Sequence, residues 1–435
     1  MNSMENIIAF ILGGGRGTRI YPLTKERSKP AIPFGGKYRI IDIPISNCMN
    51  SRIYRIFVLT QFNSKSLHQH INRAYRFDHF SHNFVDILPA EQTIDSDTWY
   101  QGTADAIRQN LKYLDAFPNC DTVVILSGDQ VYNMDLRKMY QTHIDQNADI
   151  TIATTCVPRS KVKGFGIMRI ESSARGNQIT GFIEKPTDPD IIDQFKIGGL
   201  NICLEEPNHV GTDRFLASMG IYFFKRKVLT SVLKETKSHD FGKEIIPHML
   251  KTYYSAPYIF QGYWEDIGTI KSFHSSHMDL LGRNPRFSVQ PYAPIYTNPR
   301  FLSPPFCGNT SIENAIISDG SRVFGGTIKN CVIGVRSHIE ENAYLENVLM
   351  LGADWTETTD EVETLKKTDQ IPLGIGQQCV IKNAIIDKNA RIGNNVQLIN
   401  KNQLIDFEDQ KEQYFIKDGI IVIPKGVVIP SGTVI

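Results

Sequence analysis

The chain has 435 residues, a length that at roughly 150 residues per domain suggests two or three domains with ample cores. Hydrophobic residues make up 41% and charged residues 21%, the balance of an ordinary globular protein. A formal net charge of +1 excludes a generic nucleic-acid binder, and no run approaches the ~18 apolar residues of a membrane span.

The first predicted element is a buried strand over Ile7–Leu12. It has no basic segment before it and glycines cut it short, so a signal peptide is not expected and a cytoplasmic location is. The strand runs into Gly13-Gly14-Gly15-Arg16-Gly17-Thr18-Arg19, followed by Lys25, Arg27 and Lys29. This is not a Walker A loop, which needs lysine after its last glycine, nor a complete dinucleotide fingerprint. Glycines let backbone N–H groups approach phosphate without a Cβ in the way. Arg19 and Lys29 are suited to neutralising the oxygens. The other reading is a tight turn beside solvated charges.

Further strands are expected at Ile56–Leu59 and Thr122–Leu126, with amphipathic helices at Ser64–Tyr75 and Ala104–Leu114 between them. Strands alternating with helices predict a largely parallel α/β sheet, which binds ligands at the carboxyl ends of its strands. Asp129 in LSGD follows one such strand, and Asp266 in GYWEDIGT comes from a distant part of the chain. Paired carboxylates without a His/Cys cluster point to Mg²⁺ rather than zinc. Taken alone, Asp129 reads more readily as the cap of a turn. Glu184 and Lys185 in GFIEKP are candidates for sugar hydroxyls and a sugar phosphate, or else a surface ion pair. In DTWYQGTADAI, Gly102 and Thr103 could bring backbone against a flat base, whereas Trp99 is read as a packing residue.

Beyond the proline-rich stretch Asn284–Pro305 the rhythm changes. Ile333, Ile339, Leu345 and Leu351 are spaced by six, as are Ile386, Ile392 and Leu398, and Ile423, Ile429 and Ile435. Such a repeat predicts a hexapeptide β-helix. The polar stretch Asp354–Gln370 interrupts it and is expected to be a loop leaving the coil. The seven cysteines include no CxxC pair, so reduced, mostly buried thiols are expected.

The stretches GGGRGTR, PLTKERSKPAIPFGGKYRIIDIPISNC, VLTQFNSKSLHQH, WYQGTADA, LSGD, FIEKP, SMGIY, GYWEDIGT, IIDKNARIG and IPSGTVI follow one another across nearly the whole chain. This set resembles the glucose-1-phosphate adenylyltransferase family, its cyanobacterial and plant branch most of all. The resemblance implies a Rossmann-like nucleotidyltransferase domain over 1–284, a linker over 285–310 and a left-handed parallel β-helix over 311–435. It implies transfer of the adenylyl group of ATP to glucose 1-phosphate with Mg²⁺, in a homotetramer that binds neither nucleic acid nor membrane.

Carried over by motif, Arg19, Lys29 and Asp129 are catalytic, and Asp129 and Asp266 hold the metal. Gly13, Gly14, Gly15, Gly17, Thr18, Gln92, Gly102 and Thr103 face ATP. Gly166, Glu184, Lys185 and Ser218 hold glucose 1-phosphate. Arg39, Lys388 and Lys425 form a site for small anionic effectors, and Arg16, Lys25 and Arg27 are left to solvent or to that site. A uridylyl- or thymidylyltransferase is the nearest alternative. An acyltransferase built on His338 and a non-catalytic regulatory subunit are more distant ones.

Overall fold

The computed structural model describes residues 4–91, 99–197 and 213–435. Its first half is built on the strand Ile8–Leu12, which pairs in parallel with Arg55–Thr60 on one side and Thr122–Ser127 on the other. Phe84–Pro89 extends the parallel set beyond Arg55–Thr60. Strand residues alternate between faces. Ile8 and Phe10 therefore enter one core with Val123 and Ile125, while Ala9 and Ile11 enter another with Val124 and Leu126. A strand buried on both faces needs the unbroken apolar run seen here.

The sheet turns antiparallel on its other side. Arg214–Lys225 runs against Thr122–Ser127, Ile150–Pro158 and Gly166–Ser173. Gly166–Ser173 in turn forms a hairpin with Gly176–Glu184. The sheet is thus mixed. The expected amphipathic segments are helices Lys65–Ala74, which buries Leu67, His70 and Ile71, and Thr103–Asn110, which continues as a 3₁₀ turn to Ala116.

From Phe306 onward the chain coils with parallel strands stacked on one another. Partners in the first coils are 16 or 17 positions apart, Phe306 opposite Arg322 and Gly326 opposite Ala343. The six-spaced residues Ile333, Ile339, Leu345, Ile386, Ile392, Leu398, Ile423 and Ile429 fill one continuous core. Asn314, Asn330, Asn342, Asn347, Asn383, Asn389 and Asn395 have positive φ, which asparagine tolerates better than other side chains. They stack too: Asn314 Nδ2 donates to Asn330 Oδ1 at 2.7 Å and Asn347 Nδ2 to Asn383 Oδ1 at 3.1 Å.

Two expectations need correction. The interruption over 354–370 is not merely a loop: it holds a helix, Thr359–Lys367, started by a capping box of Thr358 and Glu361. Not every thiol is reduced either, since Cys156 is disulfide-bonded, while Cys48, Cys120, Cys307, Cys331 and Cys379 are free.

The two halves pack directly. Gly36, at φ 84°, accepts from the Val335 N–H at 3.2 Å through its carbonyl. A Cβ there would stand 2.2 Å from Ser318 Oγ. Arg27 and Asp387 form an ion pair buried between the halves, and the Tyr21 ring meets Phe415 edge-on at 5.4 Å.

Candidate active site

The glycine loop and the Asp129 turn leave adjacent strands at their carboxyl ends. The Gly13 N–H donates to the Leu59 carbonyl at 2.8 Å and the Gly128 N–H to the Leu12 carbonyl at 3.0 Å, so the two turns are held side by side. A Cβ at Gly128 would come 2.8 Å from that Leu12 oxygen. Gly17 takes the left-handed conformation, φ 63°, and caps the short 3₁₀ turn Thr18–Ile20. Gly15, Thr18 and Arg19 are exposed, with Gly14 partly covered by Gln61.

Lys29 brings the two distant carboxylates together. Its ammonium donates to Asp129 Oδ2 at 2.6 Å and lies 4.0 Å from Asp266 Oδ1. Asp266 reaches this point because Trp264–Asp266 pairs with Gln130–Tyr132, placing Asp266 opposite Gln130. Arg19 completes the group: a Cβ at Gly268 would stand 3.0 Å from Asp266 Oδ2 and 3.6 Å from both terminal Arg19 nitrogens.

The environments of the two acids differ. Burial opposes ionisation of Asp129, but Lys29, the Ser127 hydroxyl and Arg19 outweigh it and hold its carboxyl below the usual range. Burial and then the Asp129 charge push Asp266 up to about 6, against Lys29 and Arg19. Two facing carboxylates, one of them kept high partly by the other, suit a divalent cation. Among the described residues no group of three or more His, Cys, Asp or Glu could hold a metal. An ion here would draw its remaining ligands from water and phosphate oxygens, as Mg²⁺ does.

Gly102 and Thr103 start the helix beside this cleft. A Cβ at Gly102 would meet the His239 carbonyl oxygen at 2.3 Å, and the Ala104 N–H donates to that same oxygen at 2.8 Å. The Thr103 hydroxyl accepts from the Phe241 N–H at 3.1 Å. Gln61, beside Gly14, donates to the Tyr100 carbonyl at 3.3 Å and so ties this wall to the glycine loop. Trp99 is half exposed. Gln92 lies outside the described residues.

Glu184 stands opposite Gly166 in the hairpin. Its Oε2 would lie 2.6 Å from a Cβ at either Gly166 or Gly242, so both glycines leave room for the carboxylate. Lys185 is exposed, with Nζ 3.3 Å from Glu184 Oε1. Ser218 opens a bulge in the strand Arg214–Lys225, where the register shifts before Tyr222. Its Oγ accepts from the Gly220 N–H at 3.2 Å. A Cβ on Gly220 would be 3.8 Å from Ser127 Cβ, so the bulge abuts the Asp129 turn. The Phe165 and Trp264 rings, 5.0 Å apart, join the hairpin to the Asp266 strand.

Sequence reasoning missed the segment Ser238–Gly242. Arg108 donates to the Ser238 carbonyl, His239 receives the helix start, and Asp240 Oδ1 lies 3.5 Å from the Gly242 Cβ position that Glu184 also borders. Tyr222 was missed too. Burial raises its pKa, a hydrogen bond with Ser218 opposes this, and the nearby Glu184 and Asp240 charges add to it. The only local signal was Asp240 as a helix cap, donated to by the Lys243 N–H.

The sequence-predicted effector residues meet elsewhere, between the halves. Lys388 pairs with Asp354 Oδ1, and Lys425 Nζ lies 3.9 Å from Asp354 Oδ2 and 3.3 Å from Glu26 Oε2. Burial and the nearby Arg27 lower Arg39 to about 10. Burial likewise brings Lys388 down to about 8, with Asp354 opposing and Arg39 and Arg27 assisting. Arg39 is placed by the buried Asp42, which accepts its N–H at 2.9 Å and also takes Tyr75 OH at 2.7 Å and His70 Nε2 at 2.5 Å. Arg27 is not solvated but buried against Asp387, Lys25 pairs with Glu412, and Arg16 lies over the Phe62 ring at 5.0 Å. His338 sits in the coil stack with Nε2 3.4 Å from Glu340. No helix is long and apolar enough to cross a membrane among the described residues.

Two family models match this chain. The nucleotidyl transferase model covers residues 8–283, and that of the GLGC left-handed parallel beta-helix domain covers residues 300–434.

Proposed function

The chain belongs to the nucleotidyl transferase family with the domain architecture of glucose-1-phosphate adenylyltransferase, and from that premise we propose how its own residues carry out the transfer. The family reaction is divalent-metal-dependent and joins a nucleotide to a sugar phosphate. The observation that carries the reading is Lys29 set between Asp129 and Asp266 beside the glycine loop.

A glucose 1-phosphate oxygen attacks the α-phosphorus of ATP in line. The new O–P bond forms as the bond to the β-phosphate oxygen breaks, and pyrophosphate leaves. The attacking oxygen is already anionic, so no general base is required, and catalysis consists of positioning and charge neutralisation. Gly13, Gly14, Gly15, Gly17 and Thr18 wrap the phosphates, with Arg19 and Lys29 neutralising the leaving pyrophosphate. Asp129 and Asp266 would hold Mg²⁺, which when bound would supply positive charge to the phosphates. Gly102 and Thr103 bring backbone to the adenine, joined by Gln92. Lys185 takes the phosphate of glucose 1-phosphate, while Glu184, Ser218 and the Gly166 backbone hold the sugar, with Asp240 and Tyr222 as further neighbours of its hydroxyls.

Arg39, Lys388 and Lys425 form the site for small anionic effectors, in a homotetramer located in the cytoplasm. The test is pyrophosphate release with glucose 1-phosphate and each of ATP, UTP and dTTP. ATP should be preferred by at least about tenfold in kcat/KM. Preference for UTP or dTTP would replace the adenylyl reading by its nearest alternative.

A further inference from the structure

The insert interrupting the coil stack delivers a carboxylate into the cluster of cations. Before the insert, coil partners are 16 or 17 positions apart, as Phe306 and Arg322 or Gly326 and Ala343; across it they are 36 apart, Tyr344 opposite Val380. The base of the insert is fixed. Arg391 pairs with Glu357 at 2.5 Å and donates to the Ile371 carbonyl at 2.7 Å, while the Leu373 N–H donates to Glu357 Oε2 at 2.9 Å. Asp354 is fixed as well: its N–H donates to Asn389 Oδ1 at 2.8 Å and its Oδ2 accepts from Asn389 Nδ2 at 3.0 Å. Its other oxygen takes the Lys388 ammonium.

We propose that Asp354 is a tethered anion that occupies the effector site of the resting protein, so that an incoming phosphate must displace it from Lys388 in order to bind. The proposal rests on the reading of Lys388 and Lys425 as effector ligands. Lys388, Lys425 and Arg27 each have a carboxylate neighbour, namely Asp354, Glu26 and Asp387. A monoanionic carboxylate arriving from solution would exchange one carboxylate contact for another and lose its translational freedom in doing so. A phosphate dianion brings a second charge and can reach Lys388 and Lys425 together, where Asp354 approaches Lys425 only at 3.9 Å. Attachment to the chain gives the carboxylate a high effective concentration, which sets a threshold the effector must exceed. The Asp354 side chain is 41% exposed and that of Lys388 14%, so the pair is open to an incoming anion from its carboxylate side.

The test is calorimetric titration of the full-length protein with inorganic phosphate, the nucleotide cleft filled by saturating ADP-glucose. Asp354→Asn keeps the Asn389 contacts and removes the charge. It should bind phosphate about tenfold more tightly than the unaltered protein, and acetate should become a measurable ligand. Lys388→Ala should weaken phosphate binding in both backgrounds. Unchanged phosphate affinity in Asp354→Asn, with Lys388→Ala still weakening it, overturns the tethered anion and leaves the effector site standing. If neither Lys388→Ala nor Lys425→Ala alters phosphate binding, the site reading fails and the proposal with it. Asp354→Ser repeats the comparison should the asparagine variant melt early.

Discussion

Asp129 and Asp266 face one another across a single ammonium, with Lys29 Nζ 2.6 Å from the first and 4.0 Å from the second. Lys29 alone cannot neutralise both acids, and the imbalance falls on Asp266. Replacing Asp129 with Asn removes one negative charge without changing shape. Turnover should fall by a factor of about 100 or more, read as pyrophosphate release, while circular dichroism stays that of the unaltered protein. Activity within threefold would remove Asp129 from the mechanism.

Asp266 predicts a pH dependence of stability. Its folded pKa is about 6 against 3.8 in a free side chain. Between about pH 4 and 6 the folded protein keeps a proton that the unfolded chain has lost, so this group's contribution falls as pH rises through that window and is flat below it. The side chain is 23% exposed, and with solvent screening the loss is about 1–2 kcal/mol. Without divalent metal, Asp266→Asn should gain thermal stability over the unaltered protein across this window and keep that gain at neutral pH. Mg²⁺ at pH 7 should raise the melting temperature of the unaltered protein more than that of the variant. Parallel melting curves at every pH would count against the assignment.

Arg27 and Asp387 are 7% and 2% exposed. Arg27→Ala takes the cation away from the buried Asp387 carboxyl, leaving it the Lys388 N–H, and removing one partner of a buried ion pair costs about 3–5 kcal/mol. Adding Asp387→Leu to an Arg27→Met variant should recover most of this, because an apolar pair needs no compensation. Urea unfolding of the single and double variants measures it. A loss below about 1 kcal/mol for Arg27→Ala would mean that water already reaches the pair.

At Gly102 the backbone is extended and any residue could adopt it, so the constraint is space. Gly102→Ala would put a methyl 2.3 Å from the His239 carbonyl oxygen, which the Ala104 N–H also binds. Backbone cannot swing aside as a side chain can. We expect a stability loss of about 1–3 kcal/mol and a KM for ATP raised about tenfold, with the KM for glucose 1-phosphate less affected.

Lys185 is 51% exposed, so Lys185→Ala should leave folding intact. With Lys185 holding the sugar phosphate, as proposed, its removal should raise the KM for glucose 1-phosphate by about 100-fold while kcat changes by less than tenfold. A loss confined to kcat would place this lysine with the reacting phosphate instead.

Legibility from sequence followed the range of the physical signal. Ile8–Leu12 was readable because burial on both faces demands an unbroken apolar run, and Ile333 to Leu345 because each coil repeats the same demand every six residues. The antiparallel side of the sheet was not readable, since the pairing of Arg214–Lys225 with three strands is set by long-range contacts. The helix in the insert had a legible capping box, Thr358 to Glu361, that was passed over for the polarity around it. Asp240 and Tyr222 were hidden because their importance lies in standing near Glu184, a neighbour that only the folded sheet provides. The reach of Asp354 to Lys388 and Lys425 was hidden in the same way.

The stretch Lys25–Lys29 works as a gear between the two halves. Lys25, Glu26 and Arg27 engage Glu412, Lys425 and Asp387, and Lys29 follows two positions later, within about 7 Å of chain. A shift of the coil stack against the sheet would be carried along that short stretch to the ammonium that pairs with Asp129. A chimera grafting a foreign C-terminal half onto this sheet would therefore need all three matching teeth, because a mismatched one would misplace Lys29 in an otherwise native cleft.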